Sequence, residues 1–483
     1  MSSAKSKARQ RLAARIVLYG TLFAALAFAV VFSRRTAPPP VFDTSWQDVD
    51  FEADENVRRL QDLVRIDTTD TGREIDAARY LAGILEDAGI AVEIEPHEGA
   101  RANLWATLEG ESREALVLHN HLDVEPVRRP EEWEVPPFEG RIEPPWIIGR
   151  GVFDMKSVTV AQLAAMLAAR ERIDETGRLP ARSLIFLATS SEETGSDLGT
   201  RHILAQRPEL KERFWAVLGE GGVLEATWTN DVKYWGTSFV QKQFLEVTAT
   251  APAAVTLERL RADLLAALGT AKPVAVVPEV AAFAAAYGAS RQHPEYRAAL
   301  AEPERVLEEP ELFDGLPDLL KALFRNEAHP FFVEAAPSGG YRLRIVLHVL
   351  PGLDADAAAA ELLPARLLDG VEIRIHERRG AAHGSPLDHP AYLQLTDSLR
   401  RRTGVEPDRI GPYLLARYAN DARFFRLHGI AAYGFTPFRF LAVDSMTVAG
   451  PNEKIALPAF IDGVDLYRQV VLDLLDLAPE AAR

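Results

Sequence analysis

Three short apolar runs, at residues 115–118, 184–188 and 215–218, each end in polar or glycine-rich turns. Runs of this kind read as strands buried within a sheet. Between them the spacing changes to that of helices. Residues 73–88 carry Ile75, Ala78, Leu81, Ile84 and Leu85 along one stripe, Gly89 supplies a helix C-cap, and a strand is expected at 90–94. Helix and strand therefore alternate from about Ser45, which predicts an α/β sheet with its chemistry at the C-terminal ends of the strands.

The middle third breaks this rhythm. Phe244, Glu246 and Thr248 alternate within 239–250, an alanine-rich helical stretch around 257–268 and a proline-interrupted segment follow, and 341–349 alternates again before Pro351-Gly352. This segment, 239–378, reads as an inserted α+β domain that divides a catalytic domain into two parts, 45–238 and 379–483. Helices expected at 391–403 and 464–477 return to the first domain. The chain has 483 residues, too many for one ordinary core, so its length agrees with two domains. Fifty-four Lys and Arg against 70 Asp and Glu give a net charge of -16, the wrong sign for a polyanion-binding surface, and no nucleic-acid partner is expected. With no cysteine, any metal must be held by His, Asp or Glu.

The first 42 residues are different: Lys5, Lys7, Arg9, Arg11, Arg15, Arg34 and Arg35 are present and no acid is. The uncharged stretch 16–32 between the two basic groups is just long enough to span a bilayer. We read 1–15 as a cytoplasmic basic tail, 16–32 as a transmembrane signal anchor and 33–44 as a linker stiffened by Pro38-Pro39-Pro40. The charge bias then places the body on the extracytoplasmic side. A cleaved signal peptide is the alternative.

Several short motifs carry chemistry. In His119-Asn120-His121-Leu122-Asp123 an extended chain puts His121 and Asp123 on one side, which suits a metal ligand and the carboxylate that orients it. Gly149-Arg150-Gly151-Val152-Phe153-Asp154-Met155-Lys156 places a carboxylate in a glycine-flexible loop before a helix, and Glu192-Glu193-Thr194-Gly195 sets two adjacent carboxylates at a strand end. One of these could bind metal and the other act as a base. Taken singly each motif is weak: an H-x-D pair is more often structural, Asp154 alone reads first as a helix N-cap, and Glu192-Glu193 has a solvated acidic turn as its plain reading.

The order and intervals of the pieces are more specific. His121-x-Asp123, Trp133 to Gly140, Gly149 to Lys156, Glu192-Glu193-x-Gly195, Glu220-Gly221-Gly222, Asn420-Asp421-Ala422-Arg423, Gly434 to Pro437 and Gly450-Pro451-Asn452-Glu453 together resemble the carboxypeptidase S and aminoacylase family of dizinc metallohydrolases. Acetylornithine deacetylase and succinyl-diaminopimelate desuccinylase belong to the same group. The resemblance implies a catalytic α/β domain with an inserted lid, one or two Zn2+ or other divalent ions, and hydrolysis of an amide in a peptide or N-acyl amino acid; a homodimer is compatible with it. Carried over by position, His121 is a ligand of one zinc, Asp123 its orienting partner, Asp154 the bridging carboxylate, Glu193 a ligand of the second zinc and Glu192 the general base.

The pattern also breaks. Gly219 stands where the family's Asp would complete the first zinc, Ala449 where a His would complete the second, Thr248 to Ala254 where the lid would supply a His, and His348 where it would present an Arg. Glu220 and His119 are the expected replacement ligands. Two readings follow: a membrane-anchored hydrolase with a rebuilt metal site, or an inactive relative whose cleft binds a ligand or partner.

Overall fold

The computed structural model describes residues 49–226, 232–289, 296–376, 380–381, 383–439 and 447–479. The tail, anchor and linker expected over 1–44 lie outside the described residues. Strand numbering follows the chain: β1 Val92–His97, β2 Arg101–Leu108, β3 Ser112–His121, β4 Arg141–Glu143, β5 Trp146–Ile148, β6 Arg182–Thr189, β7 Phe214–Gly219, β8 Val223–Ala226, β9 Val232–Gln241, β10 Gln243–Ala251, β11 Glu327–Ala335, β12 Tyr341–Val349, β13 Glu372–His376, β14 Ile410–Leu415, β15 Ala432–Gly434 and β16 Lys454–Ala456.

Among the described residues nine strands form the main sheet, in the order β1-β2-β6-β3-β7-β15-β9-β14 with β8 on β9. Its centre is parallel, β6 with β3, β3 with β7 and β7 with β15, whereas β1 and β2 run antiparallel at one side. The three apolar runs form the cores of β3, β6 and β7; polar residues extend the ladder at the ends of β3 and β6, and Phe214 and Gly219 extend it in β7. A small sheet, β16-β5-β4, flanks this body.

Helices cover both faces, as an α/β sheet with apolar central strands requires. We number those used below α1 Glu55–Val64, α2 Glu74–Asp87, α3 Ser157–Thr176, α4 Thr200–Gln206, α5 Ala254–Thr270, α6 Pro278–Ala289, α7 Ala355–Leu362, α8 Pro390–Thr403, α9 Ala422–Leu427 and α10 Leu457–Leu474. Helix α3 with the turn before it is long and apolar enough to cross a membrane, but 83% of that apolar window is buried inside the protein. It is a core helix that packs against α10. On the other face Phe214, Ile203, Leu204, Phe424 and Phe425 close over Val117, Ile185 and Val217.

The second sheet, β11-β12-β10-β13, is wholly antiparallel. Leu245, Val247 and Ala249 of β10 and Leu343, Ile345 and Leu347 of β12 face α5 and α7 and form its core. The main sheet continues to Gln241 and this lid sheet begins at Gln243, so Lys242 is the joint. Its ammonium is fully buried, donating to the Arg325 carbonyl at 2.8 Å and lying 3.4 Å from Glu327, which also takes Arg417 at 2.7 Å. Helix α6, within the inserted segment, packs against β14, the end strand of the main sheet.

Candidate metal centre

His121 is the last residue of β3, at the C-terminal end where a parallel sheet opens. Its Nδ1 lies 2.9 Å from the backbone carbonyl of Asp123 and 3.5 Å from that residue's carboxylate. The closer orienting contact is therefore the carbonyl. With Nδ1 given to that carbonyl, Nε2 is the nitrogen that would turn its lone pair to a metal ion. Without an ion, burial would lower the pKa of this imidazole, but Asp123, Asp154 and Glu220 hold it well above its ordinary value. The Asp123 carboxylate serves the acidic turn instead, and its two oxygens accept the N–H groups of Glu192 and Glu193, each at 2.9 Å. One residue thus fixes both the imidazole and the backbone of that turn.

Asp154 sits in the turn Val152–Lys156, between Gly151 and α3. Gly151 has φ +77°, and a Cβ there would lie 2.3 Å from Val124 Cγ1, so the close approach needs glycine. The turn is held by Glu453. One of its oxygens accepts from Arg150 Nη1 at 2.6 Å and Gly151 N at 3.1 Å, the other from Phe153 N at 2.9 Å and Asp154 N at 3.1 Å. Asp154 is not a helix N-cap, since its carboxylate turns instead toward His121 Nε2, 3.3 Å away. Sequence reasoning gave Glu453 no role; the signal available was its place in the Asn452-Glu453 motif.

Glu220 completes the group, 3.7 Å from His121 Nε2. Its neighbour Gly219 ends β7, and a Cβ there would point at His119, 3.6 Å from Nδ1. A side chain at 219 would thus start out toward the His119 side of the strand, whereas the Glu220 carboxylate is the one that faces His121. His119 does not replace one either. Its Nε2 lies 3.0 Å from the hydroxyls of both Thr189 and Thr200, and its ring packs edge-on against Phe425. Burial pushes this imidazole down to about 4.

Glu192 and Glu193 form a short turn after β6. Ligand atoms of His121, Asp154 and Glu193 come within 4.8 Å of one another, as do those of His121, Glu192 and Glu220. Burial, then the charges of Asp421 and Glu220, hold the Glu192 carboxyl well above its usual range, against His121 and Arg423. Burial and Asp154 push Glu220 up to about 7. Burial would raise Asp154 as well, but the adjacent His121 holds it low. Arg423 Nη1 lies 3.9 Å from Glu192, with its guanidinium over Phe244 and Phe424.

These donors fit a divalent ion. His121 Nε2 and Asp154 Oδ1 are both shielded from solvent with no hydrogen-bond partner, a costly state for two polar atoms unless a cation joins them. Zinc bonds of 2.0–2.1 Å in a tetrahedron put ligand atoms about 3.3 Å apart, against the 3.3 and 3.7 Å found here. Ala449 offers no ligating side chain and instead gives its carbonyl to Arg150 at 3.1 Å. His348 is packed within the lid between Phe244 and His329.

The sequence model of Peptidase family M20/M25/M40 matches residues 117–473, a span that contains every residue placed at this centre. The chain belongs to this family. Among curated M20 relatives, the succinyl-diaminopimelate desuccinylase of Alkalilimnicola ehrlichii is 37% identical over 119 residues, 24% of this chain and 30% of that protein. Succinyl-diaminopimelate desuccinylase 2 of a Ruegeria species is 38% identical over 150 residues, 31% of this chain and 36% of that protein. The chain thus spans about a third of the length of the curated relatives it matches. The whole M20 fold is seen in solved structures. The metallo-carboxypeptidase Sso-CP2 from Sulfolobus solfataricus superposes with a TM-score of 0.65 at 17% identity, covering 88% of this chain and all of that one. Human carnosine dipeptidase 1 gives 0.64 at 15% identity, covering 89% and 99%.

Proposed function

We propose that this chain is a metal-dependent amidohydrolase that cleaves the amide bond of a peptide or an N-acyl amino acid. The observation that carries the reading is the convergence of His121, Asp154 and Glu220 with two buried, unpartnered ligand atoms. These three would hold the first divalent ion, with zinc the best match to one imidazole and two carboxylates. Asp154 and Glu193 would hold a second, more weakly, because Ala449 adds nothing. When bound, such an ion would supply polarisation of the scissile carbonyl and a water made nucleophilic near neutral pH. Glu192 takes a proton from the attacking water and gives it to the amine nitrogen as the C–N bond breaks. Asp123 keeps Glu192 in place through its N–H, and Arg423 favours the carboxylate form that accepts the proton.

Relatives named as a desuccinylase, a metallo-carboxypeptidase and a dipeptidase point to amide hydrolysis as the reaction class. The inactive, binding-only alternative rested in part on a ligand lost at Gly219, and Glu220 removes that ground. The test is turnover of a panel of dipeptides and N-acyl amino acids by the full chain. The reading requires hydrolysis that stops with chelator, returns with Zn2+, and falls at least about 1,000-fold in Glu192→Gln, the scale of a lost catalytic proton carrier. Metal-loaded protein that hydrolyses nothing on the panel, or Glu192→Gln at the wild-type rate, would overturn it.

We also propose that residues 16–32 anchor the chain with its body on the extracytoplasmic side, a reading supported by the charge pattern alone. Full-length protein should stay with membranes through an alkaline carbonate wash and deletion of 1–44 should release it; release of the full chain by the wash would contradict the anchor.

A further inference from the structure

A second set of donors stands apart from this centre and shares no residue with it. Glu95 and His97 lie two apart on β1, so both project from one face. His202 reaches them from α4, the helix that follows the catalytic acidic turn. The two oxygens of Glu95 are divided between the imidazoles: Oε1 is 3.3 Å from His202 Nε2 and Oε2 is 3.9 Å from His97 Nε2. The rings meet edge-on, with centroids 5.0 Å apart. One ligand atom from each of the three residues falls within 4.8 Å of the others.

We propose that Glu95, His97 and His202 bind a divalent transition-metal ion, with zinc as the reference, at a site separate from the catalytic one. The two contacts, 3.3 and 3.9 Å, compare with 3.3 and 3.7 Å at the catalytic centre and with the roughly 3.3 Å edge of a tetrahedral zinc site. Two imidazoles and a carboxylate leave a fourth position for water. With side-chain exposures of 11% for His97, 29% for His202 and 37% for Glu95, the ion needs no opening of the fold to enter.

Asn103 shows what binding changes. Its Oδ1 accepts Ser190 N–H at 2.9 Å and its Nδ2 donates to the Leu198 carbonyl at 2.9 Å, which fixes the amide. Nδ2 must then also donate to His97 Nε2, 2.9 Å away, so that nitrogen carries a lone pair rather than a proton. An arriving ion takes the place of this hydrogen bond and of the longer one that Nδ2 gives Glu95 Oε2 at 3.4 Å, and needs no proton removed from Nε2. Asn103 keeps its two contacts to Ser190 and Leu198, which bracket the turn bearing Glu192 and Glu193. An ion here therefore ties α4 to β1 at the exit of the catalytic turn.

The test counts metal on the full chain. Protein is equilibrated with Zn2+, freed of unbound ion by gel filtration and analysed by elemental mass spectrometry. Wild type should hold one ion per chain more than His202→Ala or Glu95→Gln, and Asp154→Ala should keep that ion even where the catalytic ions are lost. Equal melting temperatures in chelator would show that the surface variants are folded. In Asp154→Ala loaded with Co2+, visible absorption of a low-coordinate ion should be seen and should vanish when His202→Ala is added. Equal zinc counts in wild type, His202→Ala and Glu95→Gln would overturn the site. Loss of ions from Asp154→Ala alone would bear only on the catalytic centre.

Discussion

Glu453→Gln should damage both stability and metal binding, although Glu453 itself is placed to touch neither ion nor substrate. The carboxylate accepts four donors, two on each oxygen, and one of them is the Arg150 guanidinium, with which it forms a pair whose side chains are each 1% exposed. A glutamine keeps one oxygen. In either orientation of the amide, its NH2 faces two donors, and Arg150 loses its counter-charge, keeping only carbonyl partners such as Ala449 at 3.1 Å. Removing one partner of a buried ion pair costs about 3–5 kcal/mol. The other three donors are the backbone N–H groups of Gly151, Phe153 and Asp154 itself, so the Asp154 turn should shift with them. An outer-shell change of that kind weakens metal affinity by about 10- to 100-fold. Urea unfolding of chelator-treated protein isolates the first effect, because no ion then adds binding energy to the native state; zinc titration with a competing chelator measures the second. Stability within about 1 kcal/mol of wild type, with unchanged zinc affinity, would refute the assignment of Glu453 as the support of the Asp154 turn.

Other outcomes follow from the same geometry. Asp123→Asn replaces one of two acceptors with a donor facing Glu192 or Glu193 N–H, and turnover should fall about 10- to 100-fold, measured on whichever panel substrate is cleaved. His119→Ala should leave the zinc count unchanged while costing about 2–5 kcal/mol in urea unfolding, because the ring is packed and bonded rather than ligating; loss of an ion would restore it as a ligand. Glu327→Gln should destabilise by about 3–5 kcal/mol at neutral pH, since it leaves Lys242, Arg325 and Arg417 around a neutral amide. Burial would raise Glu327, but His329, Arg417 and Lys242 hold its carboxyl below the ordinary 4.5. The stability it contributes is present above that value and lost as pH falls through and below it. The melting temperature of Glu327→Gln should therefore decline less steeply than that of wild type below about pH 4.5, and parallel curves would contradict this.

Much of the framework was legible because strand and helix periods differ. The expected strand at 341–349 is β12, residue for residue, and the apolar runs fall in β3, β6 and β7 because buried parallel strands leave no polar position. Helix α6 was not legible as a partner of the main sheet: Ala281, Ala282, Phe283, Ala284, Ala285 and Ala286 are apolar on every side and mark no contact face. At the site, residue types and order gave His121, Asp154, Glu192 and Glu193, and the structure brings them together. Position-by-position comparison places the missing ligand at Gly219, whereas the carboxylate that faces His121 is that of the next residue, Glu220, 3.7 Å away. The spacing of His121 and Asp123 predicts an orienting carboxylate, whereas the carbonyl of Asp123 makes the shorter contact and its carboxylate serves the acidic turn. Backbone acceptors of that kind carry no signature in residue identity.

On the proposed reading, Glu220 completes the first ion site with His121 and Asp154. The deciding measurement is zinc affinity and amide hydrolysis determined together on full-length wild type and Glu220→Ala. We expect the variant to lose its tightest ion and, with it, turnover at low zinc, while excess zinc restores part of the activity. An unchanged tightest ion and unchanged turnover in Glu220→Ala would show that the centre is built on other residues.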